Sequence, residues 1–336
     1  MTRTLFLLLA LFLSAATLRS QPLRLMQWNV ENMFHPSDDP LTSDDDFTPT
    51  GSYRWTFSRF FRKANRIAQT VAALRCPDLI ALCEIEDDST LIALTEYSVM
   101  RTARYRWTRT HGSDPRGINI ALLYNPFRFR PVTRRELRVP SAEHGFNPTR
   151  NILYVKGEAI LDASTTITDT LHLILCHLPS QAGGTHQADR HRRLAAQTIK
   201  DLIDSIQTAQ PQAAIVLTGD FNSDSNSRIL KSLQHNKKQQ EKQPTGSNRP
   251  EPPSLKAIPF DFQGTYRFQG DWTHLDHILC TDQVLADTAH IFHPSFLLEE
   301  NRTHGGTQPH RTFRGPSYHD GVSDHLPIYT DLHKPR

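Results

Sequence analysis

Apolar residues recur along the chain in short runs bounded by Asp, Asn, Pro and Gly, the pattern of buried strands. The runs are Leu23–Val30, Asp78–Cys83, Ile118–Tyr124, Leu171–Cys176, Ala213–Leu217, Leu275–Cys280 and Leu326–Leu332. Two stretches follow a helical period instead. In the first, which Ser58 is expected to cap, Phe61, Ala64, Ile67, Ala68, Val71 and Leu74 share a face before Pro77 stops the helix. In the second, Leu194, Ala195, Thr198, Ile199, Leu202, Ile203 and Ile206 do the same ahead of Pro211. Strands outnumber helices, so the expected class is layered α/β, with helices covering sheets.

Polar stretches set the boundaries. Between Gln234 and Lys256 there are four prolines and almost nothing apolar, which predicts a solvated, disordered loop. It is expected to be an insertion within one domain, because the motifs beyond it complete chemistry begun upstream. Pro36 to Thr50 carries Asp38, Asp39, Asp44, Asp45 and Asp46. Like-charge blocks are usually solvated, so an acidic loop is the preferred reading, with a cation site or an anion-repelling wall as the alternative. At the N-terminus Arg3 precedes the apolar run Leu5 to Ala16, too short to span a membrane. With Leu18-Arg19-Ser20 before Gln21 it reads as a signal peptide over residues 1–20, leaving residues 21–336 as one exported domain, periplasmic or secreted.

Composition agrees with a packed soluble domain: 38% hydrophobic, 22% charged and 9% aromatic residues. Removal of Arg3 and Arg19 leaves 36 basic against 35 acidic residues, a net charge of +1 that argues against a generic polyanion binder. Cys83, Cys176 and Cys280 lie inside apolar runs and are expected to be buried thiols.

Four apolar runs end in residues that an apolar core would not tolerate. Asn29 follows LRLMQW, Glu84 follows DLIALC, His177 follows LHLILC, and Asp220 with Asn222 follows AAIVLTG. Near the C-terminus, His274-Leu275-Asp276-His277 opens one run and Ser323-Asp324-His325 precedes the last. Ionised groups are costly inside a sheet, so they belong at the rim where strands end. If the rims coincide, they build one carboxylate-rich site. Such a site repels a phosphate unless a cation stands between them, which a Mg²⁺ ion does by taking few protein carboxylates and completing its shell with substrate oxygens.

The segments QWNVENMF, LIALCEIE, RGINIALLYNP, HLPS, LTGDFNSD, THLDHIL and SDHLPIY stand in the order that resembles the endonuclease/exonuclease/phosphatase superfamily of DNase I-like phosphoesterases. The resemblance spans about Leu23 to Leu332, and DDDFTPTGSYRWTFSRFFRK and HLPSQAGG are similar to a secreted bacterial subgroup. It implies a four-layer α/β sandwich, two stacked mixed β-sheets flanked by helices, with the site at one end. It also implies metal binding by Asn29, Glu84 and Asp324, with Mg²⁺ as the cofactor and Mn²⁺ able to substitute. By the same likeness Asp220 and Asn222 orient and deprotonate the attacking water, Asp276 holds His325 in its tautomer, and His177 is a second donor. AP endonucleases place Tyr and Asn where His177 and Ser180 stand here, which speaks against abasic-site cleavage. Glu86 is read as a loop acid.

Arg116 and Arg190, the latter placed in the loop opening the second helix, are either phosphate grips or surface arginines. Ten arginines crowd Arg101 to Arg138, interleaved with Tyr105, Trp107, Tyr124, Phe127 and Phe129. They suit a nucleic acid backbone, or they are exposed positions on alternating strands. The expected activity is metal-dependent phosphodiester hydrolysis by a monomeric secreted nuclease acting on DNA or RNA, with no stable protein partner. A sphingomyelinase-like phospholipid phosphodiesterase, an inositol-phosphate phosphatase and a catalytically silent binding module are the alternatives.

Overall fold

A computed structural model describes residues 21–180, 185–234 and 254–335. The proposed signal peptide and nearly all of the Gln234 to Lys256 insertion lie outside them. The first sheet is built from β1 (Leu23–Met33), β2 (Leu79–Ile85), β3 (Arg106–Arg109), β4 (Asn119–Tyr124), β13 (His290–Ile291) and β18 (Ile328–Leu332), in the order β13-β18-β1-β2-β4-β3. The second contains β5 (Phe129–Leu137), β6 (Ile152–Ala159), β7 (Asp169–His177), β8 (Ala214–Asp220), β9 (Lys256–Ala257) and β12 (Asp276–Cys280), in the order β5-β6-β7-β8-β12-β9. Both sheets are mixed: β1 runs parallel to β2 and β7 parallel to β8, and the other pairings are antiparallel.

The central strands read as near-continuous apolar runs because both faces are covered. One face of each sheet meets the other sheet, through Leu25, Leu79, Leu122, Leu153, Leu173, Val216 and Ile278 in a shared core. The outer face of the second sheet packs Ile174, Ile215 and Leu217 under α3 (Thr185–Ala209), which contributes Ala195, Ile199 and Ile203. The first sheet is covered by α1 (Phe57–Ala73), whose Phe60, Ala64, Ile67, Ala68 and Val71 are buried, and α2 (Asp88–Glu96) adds Leu91 and Leu94 to the same core. The predicted four-layer sandwich is thus the observed fold.

Boundaries shifted where capping decides them. Thr56, not Ser58, caps α1: its hydroxyl accepts the Arg59 amide at 3.4 Å, and Ser58 lies inside the first turn. At the other end Arg75 and Cys76 turn left-handed, and the Cys76 amide returns to the Val71 carbonyl at 3.0 Å before Pro77. Lys256 at the end of the predicted loop pairs with Cys280 as edge strand β9. All four cysteines are free thiols, with Cys83, Cys176 and Cys280 buried and Cys76 exposed. Among the described residues, no helix is long and apolar enough to cross a membrane.

Candidate active site

The strand ends converge because register forces them to. Asp220, the last residue of β8, pairs with His177 at the end of β7 and with Asp276 at the start of β12. Gly219 makes this possible: its φ is +150°, and a Cβ there would stand 1.8 Å from the Cys176 carbonyl oxygen. Gly219→Ala is therefore expected to cost about 3 kcal/mol or more, or to abolish folding, as measured by denaturant unfolding. In the facing sheet, the β1–β2 register shifts after Asn29 and the β2–β4 register after Cys83. Glu84 occupies the second irregularity with φ of 66°, a bulge that re-aims its carboxylate from the sheet to the rim.

Asn29 links the two sheets, its amide donating to Glu84 Oε1 at 3.2 Å and to Asp220 Oδ2 at 3.0 Å. Asn32 N–H donates to Glu84 Oε2 at 2.6 Å. Asp220 Oδ2 also lies 3.4 Å from His177 Nε2 and 3.9 Å from His325 Nε2. The Asn222 amide N–H closes on Asp220 Oδ1 at 2.8 Å, and its side chain donates to the Leu178 carbonyl at 2.9 Å. On the far side, His325 Nδ1 is 2.7 Å from Asp276 Oδ2, and Gln27 donates to Asp276 Oδ1 at 3.1 Å. The second histidine is thus oriented by a carboxylate that is itself held in place.

Electrostatics split the two histidines. Burial alone lowers His325, but Asp276, Asp220 and Asp324 outweigh it and hold the ring well above the ordinary histidine range. Burial, with Arg150, Arg116 and His325, drives His177 well below that range, so it stays a neutral imidazole. Asp220 is pushed up, first by burial, although His325 and the Asn29 hydrogen bond pull it back.

These groups floor a cleft of about 980 Å³ that is also lined by Asp324 and Arg116. Asp220, Asp276 and His325 bring one ligand atom each within 4.8 Å of one another. Hydrogen bonding already binds Asp276 to His325, however, so this trio is an acid–histidine relay. The Glu84 side of the cleft fits a divalent ion better. Among the described residues no Lys or Arg pairs with it within 4 Å, and the neutral His177 ring stands 3.9 Å away. Asp324 is met by Arg311 at 2.6 Å through one oxygen only. Two cleft carboxylates with hard oxygen donors suit Mg²⁺ or Mn²⁺.

Of the predicted site residues, Asn29, Glu84, His177, Asp220, Asn222, Asp324 and His325 all line the cleft, with Asp276 directly behind His325. Arg116 lines it too, while Arg190 does not. Arg190 lies within α3 and not in a loop, exposed, with its guanidinium 6.0 Å from the Phe146 ring; its neighbours Arg192 and Arg193 line the cleft instead. Nor does the arginine-rich stretch form a track to the site. Of its ten arginines only Arg116 lines the cleft. Arg109, Arg130 and Arg134 sit on edge strands, paired with Asp88, Glu158 and Glu136 at 2.5, 2.7 and 2.5 Å.

Several supporting residues carry no local sequence signal. Glu31, buried by the β1 bulge, accepts the Thr312 amide at 2.7 Å and is raised by burial and by Asp324. Buried Lys63 donates to the Glu31 carbonyl and to Thr312 Oγ1, tying α1 to the segment that carries Arg311. Glu86, read as a loop acid, is buried, accepts the His35 amide at 2.5 Å and is pushed up to about 8 by burial. Arg150 crosses under the cleft, meeting Asp114 Oδ2 at 3.1 Å and the Leu178 carbonyl at 2.7 Å, and Arg116 shares the same acid at 3.3 Å. Asp114→Ala would strand a buried guanidinium and is expected to destabilise the fold by about 3–5 kcal/mol in chemical denaturation.

Two stacked mixed sheets flanked by helices, with an acid–histidine floor at one end, define a DNase I-like phosphoesterase. Residues 25–334 match the sequence profile of the Endonuclease/Exonuclease/phosphatase family, and the chain belongs to that family. Its members work through divalent metal ions, and Glu84 and Asp324 give the cleft carboxylates of the kind that suit one. Among solved structures, an endonuclease/exonuclease/phosphatase from Bacteroides vulgatus is similar at 16% identity and TM-score 0.56, over 93% of this chain and 99% of that one. A D. rerio TDP2 humanized by 14 mutations shows 15% identity and TM-score 0.56 over 93% and 99%. The Bacteroides thetaiotaomicron mannosyl-6-phosphatase Bt3783 shows 14% identity and TM-score 0.55 over 92% and 99%. At these identities the likeness is one of fold. A comparison with curated proteins finds no match.

Proposed function

We propose that this phosphoesterase hydrolyses phosphodiester bonds with Mg²⁺, for which Mn²⁺ substitutes, and that it acts after export, with nucleic acid as its foremost substrate. The observation that carries the reading is Asp220, held by Asn29 and Asn222 between two histidines on the floor that Glu84 and Asp324 share. Glu84 and Asp324 would hold the ion, which supplies charge neutralisation at the phosphate oxygens. Asp220, with its raised proton affinity, is suited to take a proton from the attacking water, and Asn222 fixes its rotamer. His325, kept protonated by Asp276, stabilises charge developing on the phosphorus oxygens, and neutral His177 adds a second donor. No covalent intermediate with the protein is needed.

Nucleic acid is favoured by the open cleft and the arginines along it, and a D. rerio TDP2 of this fold is known in complex with a single-strand DNA product. The test is a substrate panel for the purified protein: single-stranded DNA and RNA, an aryl phosphodiester, inositol phosphates and sphingomyelin vesicles. Fastest turnover per active site on an oligonucleotide is expected. A clear preference for vesicles or for inositol phosphates would replace the nuclease reading.

A further inference from the structure

The cleft that holds the arginines also holds a single exposed aromatic ring among its lining residues. Phe268 lines the cleft yet is 60% exposed. Its neighbours are all engaged: Phe260 stacks on His274, Phe262 on His293, and Tyr266 lies against the His325 ring at 5.1 Å between centroids. Phe268 packs on no ring among the described residues.

The backbone that carries it is braced. β10 (Tyr266–Phe268) and β11 (Asp271–Thr273) form a tight hairpin, and Tyr266 bridges to the backbone of His325. Arg267 donates to the Gly270 carbonyl at 2.8 Å inside the hairpin. It also reaches the Gly305 and Thr307 carbonyls, at 2.9 and 2.7 Å. This latches the hairpin to the segment joining β14 (Leu298–Glu300) and β15 (Thr307–Pro309). A large apolar side chain is thus presented to water on a fixed support, two residues from the Tyr266 that bridges to His325.

The rest of the cleft says what it would meet. Arg193 and Arg228 line it, are exposed and have no acid within 4 Å among the described residues, while Tyr266 and Thr273 are the cleft residues nearest Phe268 in the chain. A polyol phosphate has no planar π face to stack on the Phe268 ring. A lipid would need an apolar surface wider than one ring. A planar heterocycle linked to a phosphate satisfies both walls, since every nucleobase has a face that stacks on an aromatic side chain.

We infer that Phe268 is a nucleobase platform: the nucleoside attached to the scissile phosphate stacks on its ring while the anionic remainder of the substrate runs toward Arg193 and Arg228. This rests on the phosphodiesterase reading above and narrows its substrate to nucleotides.

Two diesters with the same leaving group test it, thymidine 5′-(p-nitrophenyl phosphate) and methyl p-nitrophenyl phosphate. The wild-type protein is expected to prefer the nucleoside diester in kcat/KM, and Phe268→Ala to reduce that preference by about 5-fold to 100-fold, mainly through KM. Hydrolysis of the methyl ester should change little, and Phe268→Trp should restore the preference. Absence of a preference in the wild type, or equal loss on both esters in Phe268→Ala, overturns the platform. Calorimetry with thymidine 5′-phosphate and 2-deoxyribose 5-phosphate separates binding from chemistry. Selective weakening of the nucleotide in Phe268→Ala, with neither diester hydrolysed, would sustain the platform and sink the phosphodiesterase reading. Equal binding of both ligands by wild type and variant would sink the platform itself.

Discussion

Asp220→Asn is expected to lower kcat on an aryl phosphodiester by about 10²-fold to 10⁴-fold, the range for loss of a positioned proton acceptor. Asn preserves the side chain's shape and its Oδ1 acceptor for the Asn222 amide, so the fold should persist. Stability makes the test sharper. Burial raises the folded-state affinity of Asp220 for its proton, so the ionised form carries a cost that appears as pH rises through the unfolded carboxyl pKa of about 3.9 and grows up to the folded value. Without divalent ion, the variant should therefore melt at the same temperature as wild type or higher near pH 8. A large loss of activity with a lowered melting temperature would instead assign Asp220 a structural role.

The second large effect belongs to His325 and the acid behind it. His325→Ala removes the cationic donor and should also cost about 10²-fold to 10⁴-fold in kcat. Asp276→Asn keeps a hydrogen-bonding partner for the ring but removes the charge that sustains its protonation. Its turnover should fall by about 10²-fold, and its activity should be confined to lower pH than that of wild type, because the ring then loses its proton earlier. An Asp276→Asn enzyme with the wild-type pH profile and rate would mean that His325 does not act as a cation. A rate–pH profile of the two proteins decides this.

The candidate site's floor was legible in the sequence because central strands buried on both faces leave continuous apolar runs, and the polar residues that line the cleft sit where those runs stop. Residues that support it were not. Gln27 reaches Asp276 across 249 positions, and Glu31 reaches the Thr312 amide across 281, partnerships that no local pattern announces. β5, with the sequence FRPVTRREL, is an exposed edge strand with too little apolar patterning to read. The nine-residue helix Asp88–Glu96 is short and only weakly amphipathic. Arg190 was a plausible phosphate grip by position along the chain. Once α3 begins at Thr185, helical phase decides the matter and delivers Arg192 and Arg193 to the cleft instead.

The claim that joins these observations is that Glu84 holds a divalent ion without which Asp220 and His325 have no charge-neutralised phosphate to act on. Turnover of an aryl phosphodiester by wild type and Glu84→Gln, stripped with EDTA and titrated with Mg²⁺ and Mn²⁺, tests it most directly. The account predicts no activity in EDTA and recovery of the wild type with either ion. It also predicts a Glu84→Gln enzyme that stays folded but needs far more metal and still turns over at least about 10²-fold more slowly. Hydrolysis that survives EDTA, or a Glu84→Gln enzyme with the wild-type rate and metal dependence, would contradict it.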